Sequence, residues 1–207
     1  MHEVSTIGVI GAGQMGGGIA QVAASTGFET IVFDARSDAL EACRTSHASR
    51  LARLVEKEKM TSDDMTRALG RLRYVESLDA LAGVDIAIEA IVEDASIKKD
   101  VFSTLASMLT GNQILASNTS SISITELATS VGDAAGRFIG MHFFNPVPIM
   151  KLVEVINGLA TDATTTARTI ALAEAMGKTP LPANDRAGFV SNRVLMPMIN
   201  EAFYAWM

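Results

Sequence analysis

The feature that most constrains this chain lies near its start, where the apolar run Ile7-Gly8-Val9-Ile10 passes directly into glycines spaced G-x-G-x-x-G at Gly11, Gly13 and Gly16. An alanine-rich run from Gly17 to Ser25 follows and reads as helix. A strand, a tight turn and a helix N-terminus in that order form a phosphate site, because unpaired N–H groups and aligned peptide dipoles converge on the junction. Gly11 lets the chain turn sharply, Gly13 removes a side chain that would keep a pyrophosphate off the backbone, and Gly16 lets helix and strand pack closely. A second apolar run, Thr30-Ile31-Val32-Phe33, ends at Asp34, an acid placed where a ribose 2′-hydroxyl needs an acceptor. That carboxylate favours NAD over NADP, although Arg36, close by, is of a type that can accept a 2′-phosphate.

The bulk numbers narrow the remaining classes. A chain of 207 residues suits one domain, or one domain with part of a second. A net charge of -6 with no basic patch argues against nucleic acid as a partner. Mean hydropathy is +0.27, yet no apolar run reaches the roughly 18 residues of a membrane span; buried parallel strands and alanine-rich helices account for the value. Met1-His2-Glu3 is expected to lead straight into the first strand, leaving no room for a targeting peptide. Cys43, the single cysteine, excludes an intrachain disulfide or a cysteine zinc cluster, and a reducing, cytoplasmic setting fits. It is read as a packing or surface residue.

Beyond Asp34 the pair Ser37-Asp38 reads as a helix cap for a segment from Ala39 to Met60, and Thr61-Ser62-Asp63-Asp64 as a second cap for a helix to Leu69. Two helices exceed what a crossover between strands requires. Lys57, Lys59, Arg50 and Arg53 give this hairpin a basic face, either solvated or turned to a phosphorylated ligand. Strands are expected at Leu72–Val75, Asp85–Ile91 and Gln113–Ser117, with a short helix at Ser77–Ala82. Glu89, inside an apolar strand, must lie near the sheet's carboxyl edge or find a partner. Glu93 and Lys98 follow at that edge, where open α/β sheets bind ligands, and are placed to touch a cofactor. Asn118-Thr119-Ser120-Ser121 offers more polar groups there than one helix cap needs, although Ser121 or Ser123 suits that duty for the segment from Ile124.

Arg137 to His142 reads as a strand, followed by the turn Asn145-Pro146-Val147-Pro148 and a strand Lys151–Ile156 carrying Glu154 in apolar surroundings. Adjacent strand ends bring His142 and Glu154 within hydrogen-bond range, the arrangement that orients a general base. A histidine in apolar sequence is by itself more often a satisfied core residue, but hydride transfer from an alcohol needs a base for the hydroxyl proton. A helix from Asp162 to Met176, stopped by Gly177, precedes a strand-like run Thr179–Ala183 broken by Pro180 and Pro182. Asn184 to Gly188 reads as a linker, and Phe189 to Met207 as a helix apolar nearly all round, implying burial against something.

GAGQMGGGIA, EAIVED, SNTSS, HFFNPVPIMKLVEV and DRAGFVSNR, in this order along the chain, resemble the 3-hydroxyacyl-CoA dehydrogenase family. The resemblance implies NAD-dependent oxidation of the 3-hydroxyl of a short-chain 3-hydroxyacyl-CoA such as 3-hydroxybutyryl-CoA, or the reverse, in fatty acid or butanoate metabolism. It assigns His142 as acid/base, Glu154 as its partner, and Ser120 and Asn192 to the substrate oxygens, with Ser120 also near the nicotinamide. It assigns Gly11, Gly13, Gln14, Met15, Gly16, Asp34, Glu93, Lys98, Ser120 and Asn145 to the cofactor, and Lys57 to CoA. Arg50 stands where some members have a serine on CoA, and Asp185-Arg186-Ala187-Gly188-Phe189 lacks the proline usual at that junction. The family also implies a C-terminal helical domain that forms a homodimer and closes over the substrate.

The expected architecture is therefore an α/β, doubly wound, mostly parallel Rossmann sheet over residues 1–185 with a helical hairpin insertion. Residues 186–207 are expected to open a truncated all-α dimerisation domain. Two other readings are an NAD-binding fragment without catalysis and a related β-hydroxyacid dehydrogenase; the latter usually employs a lysine base, and HFFNPVP argues against it.

Overall fold

The computed structural model describes residues 4–109 and 111–207, so the expectation for Met1, His2 and Glu3 lies outside the described residues. Strand β1 (Thr6–Ile10), helix α1 (Gln14–Ser25) and strand β2 (Glu29–Phe33) form the opening unit. The hairpin α2 (Ser37–Glu56) and α3 (Ser62–Gly70) leads to β3 (Leu72–Val75). β4 (Ile86–Glu89), α4 (Ala95–Met108), β5 (Ile114–Ser117), α5 (Ile124–Ala128) and β6 (Phe138–Phe143) continue the alternation. β7 (Leu152–Asn157), α6 (Ala163–Ala175), β8 (Thr179–Asn184) and α7 (Ser191–Trp206) complete it.

The strands build one sheet in the order β3-β2-β1-β4-β5-β6-β7-β8. All neighbours are parallel except β6 and β7, which run antiparallel. The order reverses between β1 and β4, and the crevice beyond the carboxyl ends at such a reversal is where an open α/β sheet takes a ligand. Strands covered on both faces must be apolar on both, and β4, β5 and β6 are buried at every residue. Ile7, Val9, Ile19 and Leu172 belong to the core on the α1 and α6 face, and Ile10, Phe102, Leu105 and Leu127 to the core on the α4 and α5 face.

The glycine turn is built by close approach. A Cβ on Gly16 would sit 1.9 Å from the Gly11 carbonyl oxygen, so no other residue fits there. Gly11 has φ +106, and a Cβ there would lie 2.6 Å from the Ala90 oxygen.

Several boundaries differ from the sequence expectation. Helix α2 stops at Glu56 rather than Met60, and Glu58 adopts φ 55 to turn the hairpin. Pro180 and Pro182 do not break β8: it is the sheet's edge strand, and the prolines occupy alternate positions whose nitrogens face away from β7. Asn184 belongs to that strand, and Asp185 is a fastening rather than a linker residue. Its carboxylate accepts from Ser123 Oγ at 2.7 Å and from the N–H groups of Ile124 at 3.1 Å and Thr125 at 2.8 Å. The last helix begins at Ser191 instead of Phe189, because Gly188 (φ 76) and Phe189 (φ 49) are both left-handed and Phe189 turns its ring into the core. Pro197 lies inside α7, and no residue of α7 is buried.

Candidate active site

A cleft of about 1120 Å³ runs along the carboxyl edge of the sheet, from Asp34 at one end to His142 and Asn192 at the other. Its floor at the first end is the glycine turn. A Cβ on Gly13 would meet nothing within 4 Å, so the backbone at the start of α1 is open to a ligand. Gly13 is the N-cap of α1 and supplies no side-chain cap, leaving that duty to whatever occupies the cleft. Asp34 braces the turn: Oδ2 accepts the Ala12 N–H at 2.9 Å, and Oδ1 accepts the Arg36 N–H at 3.0 Å. A carboxylate has further lone pairs, so both bonds leave acceptor capacity for a hydroxyl. The Arg36 side chain pairs with the same Asp34 at 3.7 Å. These features fit an adenine dinucleotide with a free ribose 2′-hydroxyl.

The middle of the cleft rests on a buried polar network. Glu89, at the end of β4, accepts from Lys98 Nζ, from the Ile91 N–H at 2.8 Å and from Ser117 Oγ at 2.7 Å. Lys98 reaches back from α4 to meet Glu89 and also Glu93 at 3.2 Å. Glu93 Oε1 accepts from Thr119 Oγ1 at 2.6 Å and from the Ser120 N–H at 2.9 Å, which sets the loop carrying Ser120. Burial works to raise the Glu93 carboxyl, but those hydrogen bonds and the Lys98 ammonium outweigh it and hold the group below the ordinary carboxylate range. Lys98 and Glu93 thus line the cleft as anticipated, but the Lys98 ammonium is spent on two carboxylates and is 1 % exposed.

At the far end the antiparallel register places His142 directly opposite Glu154. His142 Nδ1 lies 2.8 Å from Glu154 Oε2. A carboxylate only accepts, so Nδ1 carries a proton, and in the neutral imidazole it is Nε2 that holds the lone pair. Phe144 and Phe189 flank the ring, at 4.6 Å and 6.0 Å between centroids. Glu154 is fully buried, and its other oxygen accepts from the N–H groups of Val190 (3.1 Å) and Ser191 (2.8 Å) and from Ser191 Oγ (3.0 Å). Burial would raise this carboxyl; the hydrogen bonds from His142 and Ser191 prevail and lower it. Ser120 and Asn192 meet at the mouth, Asn192 Nδ2 donating to the Ser120 carbonyl at 3.2 Å. Gln14 Nε2 donates to Asn145 Oδ1 at 3.1 Å, tying the glycine turn to the loop after β6.

The structure therefore gathers Gly11, Gly13, Gln14, Met15, Asp34, Glu93, Lys98, Ser120, His142, Asn145 and Asn192 along one cleft. Gly16 lies beneath it and Glu154 behind His142. Arg50 instead borders a smaller recess of about 190 Å³ beside Gly13 and Gln14, and Lys57 is exposed just past the end of α2. The sequence placed Asn118 at this edge without a role, which is to accept the Phe143 N–H on Oδ1 at 2.9 Å, and did not single out Ser191. Both act on the backbone or on another side chain, and neither has a signature in spacing.

A family model described as the NAD binding domain of 3-hydroxyacyl-CoA dehydrogenase matches residues 6–186. A probable 3-hydroxybutyryl-CoA dehydrogenase of Deinococcus radiodurans is 52% identical over 200 residues, spanning 97% of this chain and 71% of that protein. A Bacillus subtilis protein of the same description is 50% identical over 202 residues, spanning 98% and 70%. Among solved structures, an (S)-3-hydroxybutyryl-CoA dehydrogenase from Ralstonia eutropha superposes with TM-score 0.94 at 47% identity, covering 97% of this chain and 71% of that one. A 3-hydroxybutyryl-CoA dehydrogenase from Escherichia coli gives 0.96 at 41%, covering 99% and 43%.

Proposed function

The chain belongs to the 3-hydroxyacyl-CoA dehydrogenase family, and on that premise we propose that it oxidises a short-chain 3-hydroxyacyl-CoA, 3-hydroxybutyryl-CoA foremost, to the 3-keto form and runs the reverse reaction. NAD, when bound, supplies the hydride acceptor. The free Nε2 of His142 takes the hydroxyl proton, while Glu154 fixes the tautomer and stabilises the imidazolium that forms. Ser120 and Asn192, joined at the cleft mouth, hold the substrate oxygen. Phe144 and Phe189 exclude water from the ring. The observation that carries this reading is the His142–Glu154 pair at the end of a cleft whose other end has an open glycine turn.

Because this dyad is assembled within the chain, the reading as a cofactor-binding fragment without catalysis is not favoured. Residues 186–207 are read as the opening of a helical dimerisation region, a reading supported by α7, on which Val194, Phe203 and Trp206 stand exposed. The free, buried Cys43 suits a reducing cytoplasmic setting. No helix among the described residues is long and apolar enough to cross a membrane. Lys57 and Arg50 are read as CoA-facing. Steady-state assays with acetoacetyl-CoA and NADH test the whole reading. His142→Gln is expected to lose at least roughly a hundredfold in kcat while binding NAD unchanged by calorimetry; wild-type turnover in that variant refutes it.

A further inference from the structure

The two oxygens of Glu154 are loaded unequally. Oε2 accepts one hydrogen bond, from His142, whereas Oε1 accepts from Val190 N, Ser191 N and Ser191 Oγ. The backbone donors come from the α7 N-terminus and are available to any residue type. The hydroxyl is not: it exists because residue 191 is serine. Each donor on Oε1 draws charge away from Oε2 and weakens its grip on a protonated imidazole. We propose that Ser191 is a positioning residue that, through its hydroxyl on Glu154, tunes how readily His142 gives up its proton. It is not among the residues that line the cleft and acts through Glu154.

The buried surroundings strengthen every hydrogen bond to Glu154, the hydroxyl's included, because a hydrogen bond there is electrostatically stronger than in water. The residue opposite it on β8 is Leu181, which adds no charge. Burial and the hydrogen bonds from His142, Ser191 and Val190 are what act on this carboxyl. Farther along the cleft Lys98 is shared between Glu89 and Glu93, and Arg36 pairs with Asp34. Among the described residues Glu154 forms no ion pair with a lysine or arginine, so an effect at Ser191 reaches His142 through Glu154 itself.

The inference rests on His142 being the base, and the experiment separates the two. The pH dependence of kcat/KM for oxidation of 3-hydroxybutyryl-CoA is measured on the full chain and on Ser191→Ala, Ser191→Thr and His142→Gln. Ser191→Ala leaves Oε2 richer in charge, so imidazolium persists to higher pH. The midpoint of the acid limb is expected to rise by roughly half a pH unit, about a threefold loss below it, with the high-pH plateau kept. Ser191→Thr, which retains a hydroxyl, is expected to restore the wild-type midpoint. A role limited to starting α7 would lower stability and leave the midpoint in place, and that result overturns the proposal, as does a failure of Thr to rescue. Ring-nitrogen NMR of His142, assigned by its loss in His142→Gln, reads the same titration without turnover. Activity in His142→Gln would sink the base assignment, while a ring titration moved by Ser191→Ala would still uphold the Ser191 effect on the dyad, and an unmoved one would refute it.

Discussion

Replacing Lys98 by Met separates two roles that the sequence alone could not distinguish. Lys98 and Glu89 are 1% and 0% exposed, so removing the ammonium leaves a carboxylate in the interior without its partner. Breaking a buried pair from one side costs about 3–5 kcal/mol, because the surviving charge is uncompensated. Glu93, 3.2 Å away and 39% exposed, loses a second contact, which water screens to roughly 1 kcal/mol or less. Against a total of about 5–15 kcal/mol this is a large share, and the melting temperature is expected to fall by roughly 10–15 °C. Adding Glu89→Gln to Lys98→Met removes the orphaned charge and is expected to return roughly 2 kcal/mol, since an amide can still accept from Ile91 and the Ser117 hydroxyl can rotate to suit it. Urea unfolding followed by circular dichroism gives the stability, and calorimetry gives the affinity for NAD. If Lys98→Met unfolds within about 1 kcal/mol of wild type while NAD binding falls tenfold or more, the ammonium serves the cofactor and the structural argument is wrong.

Gly16→Ala puts a Cβ 1.9 Å from the Gly11 oxygen and is expected to abolish NAD binding and lower the melting temperature, as read by calorimetry and thermal scanning. Asp185→Asn leaves at least one of its three donors without an acceptor, costing about 2 kcal/mol at pH 7 by urea titration. Burial raises the Asp185 carboxyl, yet the Thr125 and Ser123 hydrogen bonds lower it overall from 3.8. Its contribution is therefore complete above that value and fades as pH falls through the lower native one, so the wild-type and Asp185→Asn curves should converge in acid. Cys43 is buried with its thiol pushed up to about 11 by desolvation, so a thiol reagent at pH 7.5 should label it only as fast as the protein opens, and a rapid burst in the native protein contradicts that burial.

What could be read from sequence is what short spacing dictates. Gly11, Gly13 and Gly16 declare their turn by a spacing of a few residues, and Gly16 is required by the Gly11 carbonyl within that same turn, although the Ala90 oxygen that crowds Gly11 is remote in sequence. His142 and Glu154 were legible because a single reversal separates them and the strand period aligns them. The Lys98 burial was hidden: nothing local tells whether an ammonium at a sheet edge points to a ligand or back to Glu89. Ser191 was hidden for a related reason, since its partner lies 37 residues upstream on another strand. The start of α7 was misplaced because Phe189 fits an apolar helical pattern, while its backbone is left-handed and its ring is buried, which no local pattern reveals. The prolines of β8 read as breakers until the sheet order showed that strand to be an edge.

The helical hairpin α2–α3 has a consequence for chain entropy. Ile7 of β1 pairs with Ile86 of β4, so the central seam of the sheet closes a long loop that contains the hairpin. Loop-closure entropy grows only with the logarithm of length, roughly 0.6 kcal/mol for each doubling. Lengthening that loop by an entire helical pair therefore taxes assembly of the seam by less than one good hydrogen bond. A module bordering the glycine turn can thus be enlarged, shortened or remodelled over generations while the register that creates the cleft stays fixed.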